Sequence, residues 1–134
     1  MRDITKTLSY QWFEEVWNQG REDSIDKLMH KDSVAHGIVP PDQPKGPAGF
    51  KAFYKDFREK FSDIHIEISD VISEDDMECS RASVSATETA TGKKVKFGGL
   101  CLLRIQDNQV IEAWNHYDFL EMYQQLGQVL KPGS

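Results

Sequence analysis

The chain has 134 residues and a formal net charge of -6, enough length for one packed domain and too little for two of ordinary size. The acidic balance excludes a nucleic-acid binder, which needs a clustered basic face; the densest basic cluster, Lys93-Lys94-x-Lys96, reads as a solvated hairpin tip. Residues 1–20 are amphipathic and charged, unlike a signal peptide, and no run approaches the ~20 apolar residues of a membrane span. With two cysteines there is neither a disulfide framework nor a metal spacing, so a soluble cytoplasmic protein is expected.

Helices come first. Leu8, Trp12 and Val16, with Phe13 and Trp17 beside them, keep helical spacing from about Ile4 to Asn18, and Gly20 stops the helix. Asp23 or Ser24 can cap a second short helix carrying Ile25, Leu28 and Met29. The segment 37–46 holds Pro40, Pro41 and Pro44, cannot be a regular element, and as a long loop suits a lid or pocket rim. Pro47 fits the first turn of a third helix, along which Phe50, Phe53, Tyr54, Phe57 and Phe61 form an aromatic stripe. Such a stripe is core before it is binding site, though part of it can also line a cavity.

Four strands follow. Ile64, Ile66 and Ile68 alternate; after Glu74-Asp75-Asp76 a second strand runs from about Met77 to Thr89. Thr91-Gly92 turns into a third strand, Lys94 to Gln106, and Asp107-Asn108 into a fourth, Gln109 to Tyr117. Helices before strands predict an α+β domain spanning 1–134. Pairing Ile105 with Val110 would set Leu103 opposite Glu112, Cys101 opposite Trp114, Gly99 opposite His116 and Phe97 opposite Asp118. The same face then collects Ala82, Val84, Ala86 and the three isoleucines, and its strongly polar members are Glu112, His116 and Asp118. Arg81, Ser83, Ser85, Thr87, Arg104 and Asn115 fall on the opposite face. Cys79 and Cys101 are placed on opposite faces, which argues against a disulfide between them.

A carboxyl group on an apolar, partly closed face is desolvated, which raises its pKa toward the range of a general base or acid. Asp118 is therefore a candidate catalytic group, and His116 on the same face could orient it, polarise a substrate oxygen or shuttle the proton. Gly99, opposite His116, would leave empty volume beside the pair. Blander roles compete. Asp118-Phe119-Leu120-Glu121 is also a capping box, in which Asp118 would be stabilised in its charged form. His116 could be a satisfied core histidine, Trp114 core first and pocket wall second, and His36 either a rim residue reaching the pocket or a surface histidine.

At Val16-Trp17-Asn18-Gln19-Gly20, Asp32-Ser33-Val34-Ala35-His36, Gly46-Pro47, Phe61-Ser62-Asp63, Thr91-Gly92-Lys93-Lys94-Val95, Glu112-Ala113-Trp114 with Asp118, and Gln125-Leu126-Gly127, the chain resembles the SnoaL-like polyketide cyclases of the nuclear-transport-factor-like superfamily. The resemblance implies a cone: a curved antiparallel sheet around an apolar pocket, closed by about three N-terminal helices. It also implies that Asp118 matches the aspartate acting as acid/base in cyclases that close a ring by cofactor-free intramolecular aldol chemistry.

The expected mechanism has Asp118 remove a proton from a carbon acid while His116 or His36 meets the enolate oxygen. Trp114, Phe97, Gly99, Trp12, Phe53 and Phe57 would form the substrate surface. No cofactor is expected. No histidine follows Asp118 to complete an iron triad with His116, so no metal is expected either. An epoxide-hydrolase-like site is disfavoured because Arg81-Ala82-Ser83 and Arg104-Ile105-Gln106 lack its second carboxylate. Three functions stay open: a cyclase or ketosteroid-isomerase-like enzyme, a non-catalytic binder of a small apolar molecule, and a dimerisation module. A homodimer through the outer sheet face is expected from Leu100, Leu102, Ile111 and Tyr117 alternating there.

Overall fold

The computed structural model describes residues 3–133. A single 3-10 turn, Ile4–Lys6, precedes helix α1, Leu8–Trp12, which continues as a π-helical segment, Phe13–Asn18. Helix α2 is Asp23–Leu28, strand β1 Met29–His36 and helix α3 Pro47–Lys60. Strands β2 (Phe61–Glu74), β3 (Met77–Glu88), β4 (Lys94–Gln106) and β5 (Gln109–Tyr117) follow, and helix α4 is Phe119–Gln125. The strands form one open sheet in the order β1-β5-β4-β3-β2, with β1 parallel to β5 and the other neighbours antiparallel. The result is an α+β cone with its core between the helices and one sheet face.

The hairpins form where the sequence places them. Asp107 and Asn108 both take positive φ, as a two-residue type I′ turn requires, and Asp75 does so at the β2–β3 turn. Ile66, Ala82, Val84, Ala86, Phe97, Cys101 and Leu103 are all buried on the inner face, as alternation predicts. Cys79 and Cys101 are free thiols.

Two features differ from expectation. Residues 29–36 form a strand, so Met29 opens β1 instead of closing a helix, and one strand precedes the third helix. Residues 30–32 are polar and carry no run of β-formers; β1 exists because it pairs with β5, Val34 with Glu112 and His36 with Trp114. The second difference is a bulge in β5. Ile105 pairs with Val110 as expected, but Arg104 pairs with Glu112, so Ile111 is an extra residue. Every residue beyond it changes face: Cys101 lies opposite Asn115, Leu100 opposite His116 and Gly99 opposite Tyr117. The physical cause is Glu112. The expected register leaves its carboxylate on an apolar face without a partner, a cost of several kcal/mol for an unpaired buried charge. The bulge turns it outward, where its Oε2 lies 2.7 Å from His36 Nε2.

Two side-chain devices close the ends of the cone. Strand β2 is an edge, and Asn18 at the end of the π-helical segment pairs with its backbone: Oδ1 accepts the Ile66 N–H (2.7 Å) and Nδ2 donates to the Ile66 carbonyl (2.9 Å). At the other end, beyond the last residues of β5, Gln125 of α4 does the same for β4. Its Oε1 accepts the Lys96 N–H (2.7 Å) and its Nε2 donates to the Lys96 carbonyl (2.8 Å). Leu126 packs against the core and Gly127, at positive φ, follows the helix end. The Gln125-Leu126-Gly127 motif is thus the clasp that holds α4 on the sheet.

Candidate functional site

The aromatic residues of the helices meet the inner sheet face around a cavity. Trp12 and Trp17 come from the first helical segment, where the π-helical turn keeps Phe13, Val16 and Trp17 all buried. Phe50, Phe53 and Phe57 come from α3, four residues or fewer apart along one side. Trp12 meets Phe50 edge-on at 5.0 Å, and Trp17 meets Phe57 edge-on at 5.6 Å, the arrangement that aromatic quadrupoles favour. Val84, Phe97 and Ile66 close the sheet side, Ile38 of the proline loop and Phe119 of α4 complete the wall. The cavity measures about 50 Å³, smaller than the ~150 Å³ apolar cavity that admits benzene. A ring-sized ligand therefore displaces part of the wall as it enters.

Two polar residues of β5 face this space, Asn115 and Tyr117. Asn115 is engaged: Nδ2 donates to the His36 carbonyl (2.9 Å) and Oδ1 accepts from the Cys101 thiol (3.2 Å). Burial pushes the Cys101 thiol up to about 12, with Cys79 adding to the shift, so it stays a neutral donor. Burial likewise holds the Tyr117 hydroxyl well above its usual range, with Cys101 a smaller contributor. The Tyr117 ring lies over Gly99, where a Cβ would collide with the ring and stand 2.7 Å from the Tyr117 Cα. Among the described residues, no charged side chain lines the cavity.

This architecture has well-defined relatives. The family model for SnoaL-like polyketide cyclases matches residues 7–126. The chain belongs to this family. Among solved structures, a proposed polyketide cyclase from Bacillus cereus is similar at 28% identity and a TM-score of 0.80, over 92% of this chain and 80% of that one. A proposed polyketide cyclase from Acidithiobacillus ferrooxidans is similar at 25% identity and a TM-score of 0.81, over 97% and 99% of the two chains. TsrD from Streptomyces laurentii shares the fold at 20% identity and a TM-score of 0.83, over 96% and 100%. No curated protein matches the chain.

Within this SnoaL-like cone, the residues singled out from sequence divide into two groups. Trp12, Phe53, Phe57 and Phe97 line the cavity. The β5 group does not, and the bulge is the reason. Trp114 is on the outer face, stacked on His36 with ring centroids 5.6 Å apart, and His36 is exposed and paired with Glu112 instead of reaching the pocket. His116 is exposed on the outer face, opposite the half-exposed Leu100. Asp118 is exposed and caps α4, its Oδ1 accepting the Glu121 N–H at 2.9 Å. Gly99 leaves no empty volume, because Tyr117 fills it. Tyr117, assigned from sequence to the outer surface, and Asn115 are the inward residues. The misplaced carboxylate at Glu112 was the signal that would have found them.

Proposed function

We propose that the protein is a SnoaL-like enzyme that enolises a small apolar carbonyl compound without a cofactor and closes a ring by aldol addition. The observation that carries this function is the cavity itself: aromatic walls from three helices and the sheet, with polar members that are neutral and inward-facing. Such a lining suits a flat, uncharged molecule with few oxygens.

Asp118 is the base of this scheme. It lies between two wall residues, Tyr117 and Phe119, and its Oδ2 has no hydrogen bond among the described residues, while Oδ1 holds the cap. The ligand enters at this rim. The α C–H bond breaks, its proton passes to the Asp118 carboxylate, and the electron pair moves onto the carbonyl oxygen to give an enolate. The enolate carbon then bonds to a second carbonyl of the same molecule, whose oxygen recovers the proton. Reprotonation at a different carbon instead gives an isomerase of the ketosteroid type. The protein works as a homodimer joined through the outer sheet face around Leu100, Leu102 and Trp114.

Non-catalytic binding is the second function, favoured by one observation: among the described residues no carboxylate or imidazole is part of the cavity wall. Exchange of α-protons separates the two without knowledge of the natural substrate. With 2-acetonaphthone in D2O, proton NMR should show the methyl signal decaying faster with protein than without, and Asp118→Asn should slow this by about 100-fold, as for loss of a general base. Saturation-transfer contacts without exchange would establish the binder, and neither contacts nor exchange would reject both.

A further inference from the structure

We infer that Tyr117 is the hydrogen-bond donor that receives the carbonyl oxygen of the ligand, making the cavity selective for neutral ring compounds that carry a ketone. This rests on the proposed function of the cavity and names the group that would contact the reacting oxygen.

Tyr117 is the last residue of β5 and faces inward because of the bulge at Ile111. Its hydroxyl has no hydrogen-bond partner among the described residues. Tyr117 lines the cavity, and its hydroxyl is not among the sealed, unpartnered side-chain atoms of the described residues, where Ser33 Oγ is the one such atom. Once a ligand has displaced water from so apolar a site, a donor left without an acceptor is costly. A ligand oxygen removes that cost, whereas a hydrocarbon ligand leaves it in place. The ring cannot swing aside freely, since it packs over Gly99 and against Phe119, with ring centroids 6.0 Å apart. Tyr117 is thus pre-positioned, and desolvation keeps its proton on the oxygen at neutral pH. A fixed donor in a dry site strengthens as charge grows on its partner, so it favours an enolate over a ketone.

Asn115 is the more committed of the two: its carbonyl oxygen takes the Cys101 thiol and one of its two amide N–H groups is held by the His36 carbonyl, whereas the Tyr117 hydroxyl has no partner among the described residues.

The test uses two isosteric probes, 2-acetonaphthone and 2-isopropenylnaphthalene, bound to the full chain and to Tyr117→Phe. In the wild type, the carbonyl stretch of bound 2-acetonaphthone should lie below its position in an alkane solvent, as for a hydrogen-bonded ketone. In Tyr117→Phe the band should return to the alkane position and ketone affinity should fall about 10-fold, a hydrogen bond's worth. The hydrocarbon's affinity should change less than about twofold by that same reasoning, which also reports that the variant is folded. A wild-type band at the alkane position overturns the assignment whether or not the variant folds. An equal loss for both probes overturns it too, while leaving the cavity as the binding site. Failure of the wild type to bind either probe overturns both the assignment and the proposed function.

Discussion

Replacing Gly99 by alanine tests the β5 register with opposite signs for the two possibilities. Had Gly99 faced His116 across empty volume, a methyl group would fill space and relieve the entropic cost of a strand glycine, stabilising the protein by about 0.5–1 kcal/mol. In the observed register the new Cβ would run into the Tyr117 ring and stand 2.7 Å from the Tyr117 Cα and 2.8 Å from the His116 carbonyl oxygen. Two of those atoms are backbone of β5 where it pairs with β4, and cannot move without disturbing that ladder. Overpacking of a core costs about 1–3 kcal/mol, and Gly99→Ala should fall in the upper part of that range. Gly98 is the internal control, because its Cβ would approach only the Ala82 carbonyl oxygen, at an ordinary 3.5 Å; Gly98→Ala should be neutral or mildly stabilising. Urea unfolding followed by tryptophan fluorescence measures both. A Gly99→Ala midpoint equal to or above that of the wild type would refute the bulge at Ile111 and the inward placement of Tyr117.

Asp118→Ala should cost about 1 kcal/mol in the same assay and Asp118→Asn a few tenths, since Asn caps nearly as well; equal losses would show that the cap is not what Asp118 contributes. Asn18→Ala leaves both the Ile66 N–H and carbonyl unpaired on β2, and should cost about 2 kcal/mol or more, with a loss under 0.5 kcal/mol refuting the clamp. The Ser24 hydroxyl holds the Glu15 carboxyl below its ordinary value of 4.5, with Gln11, Lys27 and Arg21 adding to it against the opposing effect of burial. A folded pKa below the unfolded one means stability that is fully present above about pH 4.5 and lost as pH falls through the folded value. Glu15→Gln should therefore flatten the acid limb of a urea-midpoint profile, and an unchanged limb would count against the pairing. Sedimentation velocity at micromolar concentration should give a dimer that Leu100→Glu dissociates; a wild-type monomer would reject the outer-face interface.

Elements with strong local periodicity could be read from the sequence. The stripe of Phe50, Phe53 and Phe57 had a helical period, the strands β2 to β4 had period two, and both placed their residues on the core side. The Asp118 cap was legible for the same reason: its hydrogen bond is made within four residues. What escaped depended on partners distant in sequence. Strand β1 has no pattern of its own and is held by β5, roughly eighty residues away in pairs such as Val34 and Glu112. The bulge adds one residue, Ile111, with no glycine or proline to mark it, yet it exchanges the faces of Trp114, His116, Asn115 and Tyr117. Because β5 supplies most of the polar residues near the cone, one unmarked residue exchanged the candidate site for its reverse side. Burial energetics carried the missing information, since Glu112 had no acceptable inward position.

The Gln125 clasp holds α4, and with it one wall of the cavity, through two side-chain hydrogen bonds. By accepting from and donating to Lys96, Gln125 imitates a strand residue, so β4 keeps its ladder satisfied where β5 has already ended. Unlike a strand residue, a glutamine amide can let go without breaking any backbone pairing elsewhere in the sheet. With it would go the buried Met122 and Phe119, the α4 residue that lines the cavity. A molecule entering at the Phe119 rim would then exchange at the opening rate of a seven-residue helix. Gln125→Ala should accelerate both capture and release while costing less stability than Asn18→Ala, since water can meet the Lys96 backbone at this exposed clasp, and amide hydrogen exchange at Lys96 would time the opening.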